Sequence, residues 1–124
     1  MTDREAPSAG DGPAARAEAA QSTVHVELAD SEGRVTLTGE IDHGVAPQLD
    51  DALTRLLAQD VDRLVVDFAR LSFFDSACIS ALVRAHARMT ERDGTITLVN
   101  VDEYAYRVLQ ISGLLPLFAV RKAP

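Results

Sequence analysis

Cysteine is almost absent: Cys78 is the only one in 124 residues. One thiol rules out an internal disulfide framework and fits a reducing compartment. The chain is nonetheless long enough to bury a core without staples or a structural metal. Basic residues are also in short supply, with 12 Lys and Arg against 19 Asp and Glu and a formal net charge of −7. A nucleic-acid binder needs a basic patch that displaces counterions, so nucleic acid is not an expected partner. The same balance speaks against docking on anionic lipid. A direct partner should tolerate an acidic surface or offer a basic one. No apolar run approaches the roughly 20 residues of a bilayer span. The stretch Met1 to Gln21 lacks the basic start and apolar middle of a secretory signal. The expectation is a cytoplasmic protein with no membrane association.

Catalytic and cofactor signatures are missing as well. There is no P-loop and no dinucleotide-binding glycine pattern. His25, His43 and His86 have no metal-ligand spacing, and one cysteine cannot complete a site. Ser76 sits in Phe74-Asp75-Ser76-Ala77-Cys78, which is not a Gly-x-Ser-x-Gly elbow. A serine hydrolase would further need a base within reach and an oxyanion hole. No catalytic residue, cofactor or metal is expected, and the chain reads as a binding module, not an enzyme.

What is present divides into a tail and one domain. Residues 1–22 are rich in Ala, Gly, Asp, Glu and Pro, with no apolar side chain larger than Ala after Met1. Such a segment cannot bury enough apolar surface to order itself, and a disordered tail is expected. Residues 23–121 carry regular periods. Val24 to Leu28 alternates apolar and polar, Asp30 to Gly33 supplies turn residues, and Arg34 to Gly39 alternates again, which predicts an antiparallel hairpin. Val45, Leu49, Ala52, Leu53, Leu56 and Leu57 recur at helical spacing, with Pro47 in the first turn. Arg63 to Phe68 contains the continuous run Leu64-Val65-Val66, expected as a strand buried on both faces. A second helix is expected from Ser76 to Arg92, with Ile79, Leu82, Val83, His86 and Met89 inward and Asp93-Gly94 as its stop. Thr95 to Val99 reads as a strand and Glu103 to Ile111 as a third helix. Leu117 to Val120 is a short last strand or an apolar tail. The fold class is therefore α/β: a mixed sheet, opened by an antiparallel hairpin and continued by parallel crossovers, packed with three to four helices.

In open α/β sheets, sites gather where parallel strands end and helices begin. Two junctions here carry polar residues: Gly39-Glu40-Ile41-Asp42-His43-Gly44 and Ser72-Phe73-Phe74-Asp75-Ser76. This topology places both on one edge of the sheet. Asp42, Asp75 and Ser76 all suit helix N-caps, a role that alone contributes about 1 kcal/mol. A serine at a positive helix end also suits phosphate. Cys78 reads as a packed small hydrophobe or as a thiol of lowered pKa.

Three motifs in order resemble one family. Thr38-Gly39-Glu40-Ile41-Asp42 resembles the T-G-E-[IL]-D signature of STAS domains of the anti-sigma factor antagonist type. Val65-Val66-Asp67-Phe68 and Leu71-Ser72-Phe73-Phe74-Asp75-Ser76 resemble their central strand and phosphorylation loop, and Tyr106-Arg107-Val108-Leu109 with Ser112-Gly113-Leu114 their closing helix. The resemblance spans roughly Val24 to Val120. It implies a bacterial regulator that, when unphosphorylated, binds an anti-sigma factor of the serine kinase type, with an ATP site, and so frees a sigma factor. The kinase would phosphorylate Ser76 and a phosphatase would reverse it. The implied binding surface comprises Asp42, His43, Asp75, Ser76, Ala77, Cys78 and Ser80, on a monomer or weak dimer. This chain departs from the family's D-S-[ST]-G-L-G run, with Cys78 and Ser80 at the two glycine positions, which adds bulk at the helix end and bears on partner choice. Two other readings stay open: an interaction scaffold of the same fold in which Ser76 only caps a helix, and a small-ligand sensor using the loop edge.

Overall fold

The alternation of Val24, Val26 and Leu28 with His25 and Glu27 does form a strand, β1 (Thr23–Ala29), which pairs antiparallel with β2 (Glu32–Ile41). The computed structural model describes residues 22–124. The expected disordered tail thus lies outside the described residues, except for Ser22. The remaining elements are α1 (Ala46–Leu57), β3 (Arg63–Phe74), α2 (Ser76–Glu91), β4 (Thr95–Val101), α3 (Glu103–Ile111), a 3-10 turn at Leu115–Leu117, and β5 (Ala119–Lys122). The sheet runs β1-β2-β3-β4-β5 in space, and every pair after the hairpin is parallel. This is the mixed α/β architecture expected, with three helices and a final strand that begins two residues later than the apolar run suggests.

Burial explains why the strands alternate. Val35 and Leu37 of β2, Leu64, Val66 and Phe68 of β3, and Ile96 and Leu98 of β4 are buried in one cluster with Leu49, Leu53, Leu56 and Leu57 of α1 and Leu82 and Met89 of α2. The intervening residues Arg34, Thr36, Val65, Asp67, Thr97 and Val99 are only half-buried. The expectation that β3 is buried on both faces is therefore corrected: Val65 belongs to a polar second face. There Asp67 accepts from Arg34 Nη2 at 2.9 Å, from Asn100 Nδ2 at 3.0 Å and from the Ala69 N–H at 2.9 Å. Burial by itself would raise the Asp67 pKa, but these donors outweigh it and hold the carboxyl below its ordinary value.

The inner face of α2 is rotated from the one expected. Cys78, Ala81, Leu82, Ala85 and Met89 are buried, whereas Ile79, Val83 and His86 are half-buried on its flank. Ala81 and Ala85 face α1 beside Leu53 and Leu57, where short side chains let the two helices approach. His86 sets its ring edge-on against Phe118, with centroids 5.8 Å apart.

Both later helices end in the same device. The Gly94 N–H reaches the Met89 carbonyl at 2.8 Å and the Asp93 N–H that of Thr90 at 3.2 Å, with Asp93 in the left-handed region at φ 59°. In α3 the Leu114 and Gly113 N–H groups reach the carbonyls of Leu109 and Gln110, with Gly113 at φ 73°. Each is a Schellman stop that satisfies carbonyls the helix leaves unpaired. Arg92 then ties the end of α2 to the α1–β3 connection, donating to the carbonyls of Leu57 (2.6 Å), Gln59 (3.1 Å) and Val61 (3.3 Å).

Candidate functional site

β3 is longer than its sequence suggests. Ser72-Phe73-Phe74, expected as loop, continues the strand, because β2 also runs on through Glu40 and Ile41 and offers it a partner. Two register shifts, between Thr36 and Thr38 and between Gly39 and Glu40, bring Ile41 opposite Phe74. The two polar junctions therefore start from paired residues and lie side by side, as the topology argument requires.

Asp75 joins them. It is the N-cap of α2: Oδ1 accepts from the N–H groups of Ala77 (2.9 Å) and Cys78 (3.3 Å). Its other oxygen, Oδ2, accepts from the His43 N–H across the gap at 2.9 Å. The Ile79 N–H goes to the Asp75 carbonyl at 3.2 Å. One carboxylate thus starts a helix and pins the neighbouring loop. The His43 ring stands in solvent with Nδ1 3.8 Å from the same oxygen.

Asp42 does not cap α1, contrary to one sequence expectation. The N-cap is Val45, without a side-chain hydrogen bond. Asp42 Oδ1 instead accepts from Gly44 (3.0 Å) and Val45 (3.3 Å), closing an Asx turn ahead of the helix. Its carbonyl takes the N–H groups of Val45 and Ala46.

Ser76 is the first residue of α2 and is exposed. Capping falls to Asp75, and no hydrogen bond from the Ser76 hydroxyl occurs among the described residues. The cap role that the sequence leaves open for Ser76 is therefore taken by its neighbour. Ser80 and Arg84 follow at successive four-residue steps, all exposed along one line of α2. Ala77, Ser80 and Arg84 line an open groove with His43, Ala46, Pro47 and Asp50 of the α1 side. Arg84 spans it, donating to Asp50 Oδ1 from Nη2 at 3.1 Å and Nε at 3.3 Å.

Cys78 drops out of this surface. Its side chain is wholly buried, and burial, helped by the nearby Asp75 charge, pushes its thiol up to about 12. A reactive thiol of lowered pKa is excluded, and its bulk is directed into the core rather than toward the helix end a partner would meet. Of the seven residues drawn from the sequence, His43, Ser76 and Ser80 are exposed, and Asp42, Asp75 and Ala77 are half-buried.

Sequence reasoning misses several neighbours. Asp50 and Arg84 are legible only as solvated helix positions, although the spacing Ser76, Ser80, Arg84 already marks one helix line. Phe73 and Tyr104 are exposed aromatics of this edge. Tyr104 lies in the first turn of α3, its ring 6.1 Å from that of Phe74. No group of three or more His, Cys, Asp or Glu that could hold a metal occurs among the described residues. None of the described helices is long and apolar enough to cross a membrane.

The chain is similar to known proteins in sequence and in fold. The family model described as "Mlab, STAS domain" matches residues 24–117. The anti-sigma-B factor antagonist of Bacillus subtilis is 30% identical over 91 residues, covering 73% of this chain and 83% of its own length. The crystal structure of an anti-sigma factor antagonist from Mycobacterium paratuberculosis superposes with a TM-score of 0.72 at 26% identity, over 80% of this chain and 84% of that one. The Bacillus cell fate determinant SpoIIAA in its phosphorylated form gives a TM-score of 0.66 at 25% identity, over 79% of this chain and 90% of that one. Motifs, topology and these matches agree: the chain belongs to the STAS domain family, among relatives that are anti-sigma factor antagonists, regulators and not enzymes.

Proposed function

We propose that this chain is a cytoplasmic anti-sigma factor antagonist that binds an anti-sigma factor of the serine kinase type while Ser76 is unmodified and releases it once Ser76 is phosphorylated. The observation that carries this reading is the division of labour at the start of α2. Asp75 does the capping, so the exposed Ser76 hydroxyl is left for another use. The names of the relatives support the partner class, and one relative is known in a phosphorylated form.

The electrostatics favour a switch in binding over a switch in folding. A phosphate adds about −1.5 to −2 charges near neutral pH. A helix N-terminus stabilises such a charge by about 0.3–2 kcal/mol. Here the N–H groups of Ala77, Cys78 and Ile79 are already taken by Asp75, and the Asp75 carboxylate repels the newcomer. The two effects are of similar size and largely cancel within the domain. In an interface the same charge must be desolvated beside Asp75, and binding suffers. A phosphoserine phosphatase would restore the binding form.

The test is an affinity capture from host lysate with wild type, Ser76→Ala and Ser76→Asp, the bound proteins identified by mass spectrometry. Wild type and Ser76→Ala should retain a small kinase-like ATPase that Ser76→Asp loses. Equal capture by all three would overturn the switch.

A further inference from the structure

The two borders of the sheet are built differently. β5 is four residues long, follows Pro116 closely, and carries Arg121 and Lys122. A short cationic edge resists pairing with another strand. β1, at the opposite border, has seven residues and runs beside β2 without a register shift. It contains no lysine and no proline. All its residues but Val24 are exposed. Val26 and Leu28 project on the helix-covered side of the sheet yet remain 37% and 49% exposed. Beside them α1 leaves an open groove lined by Val24, His25, Val26, Gln48, Asp51, Ala52 and Arg55. Of the devices that ordinarily protect an edge strand, β1 lacks lysine, proline and a bulge, and carries a single carboxylate, Glu27.

The sequence of β1 is also self-complementary when laid antiparallel on itself. About Val26 as centre, Val24 meets Leu28, His25 meets Glu27, Thr23 meets Ala29, and Val26 meets its own copy. Residues directly opposite in a sheet point to the same side, so this register sets apolar against apolar on the helix side and the His25 imidazole against the Glu27 carboxylate on the other. A slip of one residue mixes the two faces. A slip of two sets Glu27 against Glu27 or His25 against His25. His25 and Glu27 now lie 3.8 Å apart along one strand, and the neighbour of Glu27 on β2 is Arg34, whose guanidinium is held by Asp67.

The geometry points to a second copy of this chain as the occupant of that edge: β1 pairs antiparallel with β1 of another protomer about a two-fold axis at Val26, joining the two sheets into one. A two-fold contact requires self-complementarity of a single patch, and β1 supplies it. The interface is a strand edge and two small apolar clusters, so the association is weak, with Kd on the order of 100 µM. It lies on the β1 border, whereas Ser76 starts α2 at the carboxyl end of the central strand β3, and it does not depend on the phosphoswitch.

Sedimentation velocity on the full chain, from about 10 µM to about 1 mM at roughly 0.15 M salt, tests it. Wild type should show a reversible monomer–dimer equilibrium. Val26→Lys sets two like charges face to face on the axis and should be monomeric, with an unchanged far-UV circular dichroism spectrum because Val26 is exposed. His25→Glu and Glu27→Lys should each weaken the homodimer at least tenfold. An equimolar mixture of the two variants should associate again, since the carboxylate introduced in one then faces the ammonium introduced in the other. Wild type that stays monomeric throughout, a dimer that survives Val26→Lys, or a mixture that fails to associate each overturns the proposal.

Discussion

Replacing Asp75 by Ala and Ser76 by Ala, one position apart, should have sharply different effects on stability. Asp75 makes three side-chain hydrogen bonds, two to the first turn of α2 and one to the His43 N–H. Losing a helix cap costs about 1 kcal/mol. The bond from His43 to a charged acceptor adds about 1–2 kcal/mol, at the low end because Asp75 is only partly buried. Asp75→Ala should therefore cost about 2–3 kcal/mol, or roughly 10–20 °C in Tm for a domain of this size. Asp75→Asn keeps an oxygen for the helix but turns an amide toward the His43 N–H, so it should lose about half as much. Ser76→Ala removes a hydroxyl with no partner among the described residues and should stay within about 0.5 kcal/mol of wild type. Urea titrations of the four proteins measure this directly. A Ser76→Ala cost as large as that of Asp75→Ala would refute the reasoning, because the serine would then be the cap.

Three further outcomes follow from the same structure. Cys78, buried and with its thiol pushed up to about 12, should resist a thiol reagent such as DTNB at pH 8 in the native protein and react at once in denaturant; prompt native labelling would contradict its placement. Asp67 has a folded-state pKa below its unfolded value, so its contribution is complete above the unfolded pKa near 4 and is lost as pH falls through the lower folded value. The stability gap between wild type and Asp67→Asn should accordingly be flat from pH 7 to about 5 and close only in stronger acid, as read by denaturation at a series of pH values. Arg92→Ala frees three carbonyls at the α1–β3 connection and should lower stability by about 1.5–3 kcal/mol in calorimetry, with Arg92→Lys recovering part of the loss.

Much of the fold is legible because each element carries its own period. The alternation in β1 and β2, the helical spacing of Leu49, Leu53 and Leu56, and the stop at Asp93-Gly94 are local signals, and the structure agrees with each. The convergence of the two junctions follows from parallel topology alone. The errors arise where tertiary partners decide. Ser72-Phe73-Phe74 has the composition of a loop, and becomes strand only because Glu40 and Ile41 extend β2 beside it. The run Leu64-Val65-Val66 suggests burial on both faces, but its middle residue faces the polar side with Arg34 and Asp67, a matter of which face the helices cover. The inner line of α2 is obscured because Ala81 and Ala85, suited to close contact with α1, weigh little in a hydrophobic pattern. At the site, Asp75 and Ser76 are both good caps by residue type. Only the backbone places Asp75 at the cap position, in the extended conformation, and leaves the serine free. The exposure of Phe73 and Tyr104 has no sequence signal, since an aromatic beside an apolar run reads as core.

The most direct test of the switch is the affinity of the captured kinase-type partner for the chain with Ser76 unmodified and with Ser76 fully phosphorylated, measured by titration calorimetry alongside the Tm of both forms. A switch in binding predicts at least a hundredfold loss of affinity, about 2.7 kcal/mol, with Tm changed by no more than a few degrees. Undiminished binding of the phosphorylated chain, or a loss that merely tracks its unfolding, would contradict it.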